Sequence, residues 1–293
     1  MKTLTVITTT YNRAYCLHQV YESLLRQTSG DFLWMIIDDG SSDNTRELVR
    51  QWTAENKVEI EYYYKENGGM HTARNLAYEK VHTLLNVIID SDDWMTDDAV
   101  EKIVSFWNQY GSDRYSGIIS DNIGRDGNLI ASPLPEGIAS CTVTDLFHKY
   151  KVKGDKKLIY RSELTRKYPY PEFPGEKFYP ASYKFLMLDL EYEMLLMPEF
   201  TCVVDYNEDS MSRHKFEQYH SCCRGFAHYR NAMIGISHSP KYMMKEMIHY
   251  IAESRMAENR HYIKNSAKPA LAMLCWPAGI AYEYYLKHTS REF

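Results

Sequence analysis

The chain has 293 residues, 44% hydrophobic and 25% charged, with a formal net charge of −5. That balance allows a sizeable core and argues against a nucleic-acid partner. The six cysteines include no C-x-x-C spacing, so neither a zinc site nor a disulfide framework is expected, and a reducing cytoplasm is the expected compartment. The start, MKTLTVITTTYNR, reads as a strand after one Lys and not as a signal peptide, and no stretch of about 18 uninterrupted apolar residues suggests a spanning helix.

The first hundred residues alternate strand and helix patterns. Strands are expected at Leu4–Thr9, Phe32–Asp38, Val58–Tyr64 and Leu84–Asp90, and helices at Ala14–Arg26, Thr45–Ala54, Met70–Lys80 and Asp97–Gln109. Such alternation argues for a parallel sheet with right-handed crossovers. Beyond residue 110 the rhythm changes. Strands at Ser116–Ser120, Leu129–Ala131, Lys157–Arg161 and Thr201–Tyr206 are expected, with helices at Thr142–Tyr150 and Ala181–Leu188 and a Pro- and aromatic-rich loop from Pro169 to Pro180. Three helices should follow, Lys215–Ile236, Lys241–Ile263 and Pro269–Leu286, with the last broken at Pro277 and Gly279. The expected division is a domain over 1–210 and a helical region over 211–293.

Polar clusters end four of the early strands: Thr8 to Arg13, Asp38 to Asp43, Glu66 to Gly69 with Ala73-Arg74-Asn75 beyond, and Asp90-Ser91-Asp92-Asp93. Parallel strands bring all four to one sheet edge, where open α/β folds bind ligands. Three aspartates within four residues repel one another unless something positive joins them. Hard oxygen donors suit Mg²⁺ or Mn²⁺ carrying a diphosphate, while a solvated acidic turn is the plainer alternative. Gly68 and Gly69 permit close backbone approach ahead of a helix N-terminus, which favours anions.

TTTYNRA, IIDDGSSDNT, ENGGMHTARN and IIDSDDWM stand in the order and spacing of family-2 glycosyltransferases. The chain resembles that family over residues 3–100 and more weakly over 170–212. The resemblance implies the GT-A fold, a mixed, mostly parallel sheet flanked by helices, with a C-terminal helical appendage. It also implies an inverting, metal-dependent transferase using a nucleotide-sugar. Thr9 and Tyr11 would line the base, and Asp39 would accept from the uracil N–H; a carboxylate suits that donor and fits cytosine poorly. Asn67 and Gly68 belong to the same donor pocket, and Arg74 would reach the base or diphosphate unless it is a surface arginine. Asp90 would lie near the ribose or a metal-bound water, Asp92 would ligate the metal, and Asp93 would face the donor sugar or acceptor. His214 would be a weaker metal or diphosphate ligand. Asp43 reads as a cap for the helix at Thr45 and not as a site residue.

The acceptor hydroxyl needs a base. The resemblance points to Glu176 in Gly175-Glu176-Lys177-Phe178, although many relatives have Glu-Asp at this step; Glu172 and Asp189 are rivals. The expected partners are a UDP-sugar and a saccharide or lipid-linked saccharide acceptor in surface polysaccharide synthesis. The aromatic, apolar segment Pro269–Leu286 offers peripheral contact with the inner membrane face, a homodimer surface, or a face packed on the core. A nucleotidyltransferase would want a Gly-rich basic loop after the first strand, which is missing, and no G-x-G-x-x-G supports a dehydrogenase. A non-catalytic nucleotide-sugar-binding scaffold would keep the same pocket.

Overall fold

The computed structural model describes residues 2–130, 132–205, 215–237 and 239–289. In chain order its first half runs β1 (Leu4–Thr10), α1 (Ala14–Leu25), β2 (Phe32–Asp38), α2 (Thr45–Glu55), β3 (Ile60–Tyr64), α3 (Met70–Lys80), β4 (Leu85–Ile88), β5 (Trp94–Met95) and α4 (Ala99–Tyr110). Then come β6 (Tyr115–Ile123), β7 (Ser140–Cys141), α5 (Val143–His148), β8 (Lys157–Arg161), α6 (Ser162–Thr165), α7 (Tyr183–Leu188) and β9 (Glu193–Val203). The described helices that follow are α8 (Lys215–Ser221), α9 (Cys223–Ile236), α10 (Pro240–Met256), α11 (Tyr262–Asn265) and α12 (Pro269–Thr289).

The strand path is β3-β2-β1-β4-β8-β6-β9-β5, with β7 paired to β9. The first four strands are parallel, as their separation by helices requires. β8 enters antiparallel to β4 and β6, and β6 runs parallel to β9. Both faces of this sheet are covered, so β2 is buried along its whole length. Trp34 is fully buried, and Tyr21 and Trp52 stack beside it with their centroids 4.5 Å apart.

Several expectations need correction. Leu129 makes a single bridge to Ile123, so the strand expected from Leu129 does not form; residue 131 lies outside the described residues. The strand expected at Thr201 begins at Glu193. Pro198 and Glu199 bulge out between the Ser120–Met197 and Asp121–Phe200 pairs, and that proline disguised the strand. The helix expected over Lys215–Ile236 breaks at Cys222, and the next one stops at Met256, just before Glu258 takes a positive φ of 56°. By contrast, α12 continues through Pro277 and Gly279.

The chain divides into two units: 1–170 with 182–207, and 171–181 with 208–293. Pro169 and Tyr170 of the Pro- and aromatic-rich loop thus belong to the first unit, and residues 171–180 to the helical unit. In that unit Met247, Tyr250 and Ile251 of α10 pack with Ala227, Ala272 and Cys275.

Candidate donor-site edge and the helical unit

The C-terminal ends of β1, β2 and β4 lie side by side in the parallel sheet, and their loops interlock. Asn12, after β1, takes a positive φ of 53° and donates its N–H to Ser41 Oγ at 2.9 Å; its side-chain oxygen accepts from Ser42 N at 2.7 Å. Asp43 accepts from Ala14 N at 3.0 Å and from Thr45 N at 3.1 Å, so it caps the first turns of α1 and α2.

Asp39 is buried, and its carboxylate organises the loop after β3. Oδ1 accepts from Lys65 Nζ at 2.6 Å and Gly68 N at 3.0 Å. Oδ2 accepts from Gly69 N at 2.7 Å and Asn67 Nδ2 at 3.1 Å. Those four donors fill the acceptor capacity of a carboxylate. A base N–H would therefore have to displace one of them; Lys65, Asn67 and Gly68 are partly exposed, whereas Gly69 is buried. Glycine is required twice here. Gly69 has φ +94°, and a Cβ on Gly40 (φ +87°) would stand 2.7 Å from Asn67 N.

Beyond β4, each aspartate meets a cation from a different element. Arg13 Nη1 lies 3.1 Å from Asp92 Oδ2, Arg74 Nη2 lies 3.2 Å from Asp90 Oδ1, and Lys157 Nζ lies 3.6 Å from Asp93 Oδ2. Arg74 is therefore no surface arginine. Burial works against its charge, but the Asp90 carboxylate together with Tyr170 and Tyr78 outweighs that cost, and its pKa rises. Burial pushes the Asp93 carboxyl up to about 6, with Lys157 opposing and Asp90 and Asp92 adding to the rise. The Asp90 side chain remains 49% exposed. Thr9 is partly buried in register with Ile37, whereas Tyr11 is 49% exposed and not buried as its aromatic character alone would suggest.

The donor set of Asp90 and Asp92 fits a small hard cation, which takes one or two carboxylates together with substrate phosphates. Among the described residues no three His, Cys, Asp or Glu side chains gather to hold such an ion by themselves. His214 lies outside the described residues. Sequence reading missed the partners Arg13, Lys65 and Lys157. Arg13 and Lys65 stood in plain view at strand ends. Lys157 was read only as the first residue of the strand Lys157–Arg161, and nothing in that pattern joins it to Asp93.

In the helical unit, Glu176 is nearly buried and closes the N-terminus of α9. Its Oε1 accepts from Arg224 N at 2.9 Å and Arg224 Nε at 3.2 Å, and its Oε2 accepts from Gly225 N at 2.7 Å. The carboxylate thus sits at the positive end of the α9 dipole and beside the Arg224 guanidinium. Of its rivals, Glu172 is exposed, and Asp189 in the other unit caps α5 by accepting from Val143 N and Thr144 N.

The sequence model of the family described as Glycosyl transferase family 2 matches residues 5–160, more than half of the chain. The putative teichuronic acid biosynthesis glycosyltransferase TuaG of Bacillus subtilis is 32% identical over 103 residues, 35% of this chain and 41% of that protein. The teichoic acid poly(glycerol phosphate) polymerase of Staphylococcus epidermidis is 33% identical over 101 residues, 34% of this chain and 14% of that protein. The chain thus spans less than half the length of these curated relatives. Among solved structures, S. aureus TarS 1-349 in complex with UDP-GlcNAc matches with a TM-score of 0.61 at 16% identity, covering all of this chain and 92% of that one. That likeness establishes the mixed α/β fold as the GT-A type.

Replacing Asp39 with Ala leaves the Lys65 ammonium and the Gly68 and Gly69 N–H groups without their acceptor. The expected cost is about 2–4 kcal/mol in unfolding free energy, with faster amide exchange at Gly68 and Gly69. An unchanged denaturation midpoint and unchanged exchange would contradict this organising role.

Proposed function

Because the chain belongs to glycosyl transferase family 2 it is a glycosyltransferase, and we propose that it moves a sugar from a UDP-sugar, with inversion, to a saccharide or lipid-linked saccharide acceptor in surface polysaccharide synthesis. The observation that carries this reading is the edge itself. Asp39, Asp90, Asp92 and Asp93 converge with Arg13, Arg74 and Lys157 at the ends of parallel strands, inside the family match. The relatives named for teichuronic and teichoic acid synthesis, and the UDP-GlcNAc complex of TarS, support the polymer setting and the uridine donor.

In this reading Asp39 reads the base N–H once one of its donors yields its place, with Thr9, Tyr11, Asn67 and Gly68 beside it. Arg74 and Asp90 line the ribose–diphosphate side, and Asp93 faces the transferred sugar. A Mg²⁺ or Mn²⁺ ion held by Asp92 and Asp90 would neutralise charge on the departing nucleoside diphosphate. Glu176, positioned by the first N–H groups of α9, takes the proton from the acceptor hydroxyl.

Asp92→Ala should lose the Mn²⁺-dependent part of UDP binding in calorimetric titration. It should cost the fold only about 1 kcal/mol or less, the worth of a solvent-accessible ion pair. UDP affinity equal to wild type with Mn²⁺ would remove the metal from Asp92.

For Glu176→Gln the two roles separate. A catalytic base predicts that transfer falls at least about a hundredfold while UDP binding persists. A pure helix cap predicts lower thermal stability with transfer retained, and that result would move the base elsewhere.

No helix among the described residues is long and apolar enough to cross a membrane. Yet α12 exposes Met273, Leu274, Trp276, Tyr284 and Tyr285, and none of its exposed residues from Pro269 to Tyr285 is charged, while Lys264, Lys268 and Lys287 flank that stripe. Such a surface supports peripheral contact with an anionic membrane face. The chain should pellet with phosphatidylglycerol vesicles at low salt and lose this with Leu274→Glu. A chain that stays in the supernatant but elutes as a dimer would assign the stripe to a second copy.

A further inference from the structure

Lys184 on α7 is 1% exposed, and lysines are almost never fully buried unless paired. Burial alone pulls its pKa down to about 7, with no carboxylate to offset it among the described residues. Its Nζ donates to Thr165 O and Tyr168 O. It also lies over two ring faces, 4.5 Å from the Tyr78 centroid and 5.0 Å from that of Tyr170. The cost of burying the ammonium is thus offset only by two carbonyls and two rings, and those are the groups that it orders.

The two rings lead to the donor edge. Tyr78 and Arg74 stand four residues apart on α3, on one face of that helix. Tyr170 packs beside Tyr78 with ring centroids 6.4 Å apart. Its backbone is tied to α3 by Asn75, which accepts from Tyr170 N at 2.8 Å and donates to Tyr170 O at 2.9 Å. The Tyr170 hydroxyl bonds the side chains of both Tyr78 and Arg74.

Arg74 has few other restraints. Its Nε is buried without a hydrogen-bond partner among the described residues. Its ion pair is with Asp90, whose side chain is half exposed, and a pair open to solvent on one side contributes little by itself. The direction of the guanidinium therefore depends on Tyr170, and the Tyr170 ring is seated on Lys184.

We propose that Lys184 is a positioning residue for the donor edge, one that fixes Arg74 against Asp90 through Tyr170; the proposal rests on the reading of that edge as a nucleoside-diphosphate pocket. The test is calorimetric titration of the full chain with UDP and Mn²⁺. Lys184→Met keeps an unbranched stem and removes the charge and the donors. Tyr170→Phe keeps the ring and removes the hydroxyl that reaches Arg74. Each should weaken UDP binding about tenfold, the effect of losing one charge-assisted contact. The double variant should bind no more weakly than Tyr170→Phe alone, because both changes break one chain of contacts. A lysine that only supports the fold would lower the melting temperature and leave UDP affinity alone, or would weaken binding by a factor that multiplies with that of Tyr170→Phe. Either result would overturn the proposal. Should Lys184→Met not fold, Lys184→Gln, which keeps a donor without the charge, carries the same comparison with the same two outcomes. A wild-type chain that binds no UDP would instead overturn the donor reading.

Discussion

Three carboxylates at the end of one strand are the constraint around which the donor edge is built. Two like charges about 4 Å apart repel by about 4 kcal/mol at an effective dielectric of 20, so Asp90, Asp92 and Asp93 need cations close by. The chain supplies one to each: Arg13 from the turn after β1, Arg74 from α3 and Lys157 from β8. Those pairs hold the turn after β1, a helix and an antiparallel strand around the acidic turn. The edge is consequently charge-balanced as it folds, and a cation-bearing diphosphate would enter a prearranged set of charges.

Asp39 performs a comparable task one strand away. Its carboxylate closes the loop after β3 by accepting from two consecutive glycine N–H groups, from Asn67 and from Lys65. The glycines are there for backbone reasons, the positive φ of Gly69 and the close approach at Gly40. One side chain thus joins the fold of the edge to its expected chemistry, since the hydrogen bonds that shape the loop occupy the lone pairs that would read a base.

Much of this was legible in the chain itself. Alternating apolar runs and amphipathic stretches located β1, β2 and α3 to within a residue, because those elements are bounded by abrupt polar clusters. Pairings between distant residues were not legible. Arg13 and Asp92 are 79 positions apart, and nothing local marks Lys157 as buried. The strand β9 was hidden because Pro198 sits in a bulge, a tertiary accommodation that propensity does not report. Glu176 showed its acidic character in sequence but not its hydrogen bonds to the start of α9, since Arg224 and Gly225 come nearly fifty residues later.

The most direct test of the account is a titration of the folded chain with UDP, CDP and GDP, each with Mn²⁺ and with EDTA. The account predicts that UDP binds, more tightly with Mn²⁺, and that CDP, which lacks the ring N–H that Asp39 would accept, binds far more weakly. Equal binding of UDP and CDP, or no nucleotide binding at all, would contradict a uridine donor at the edge formed by Asp39 and Asp92.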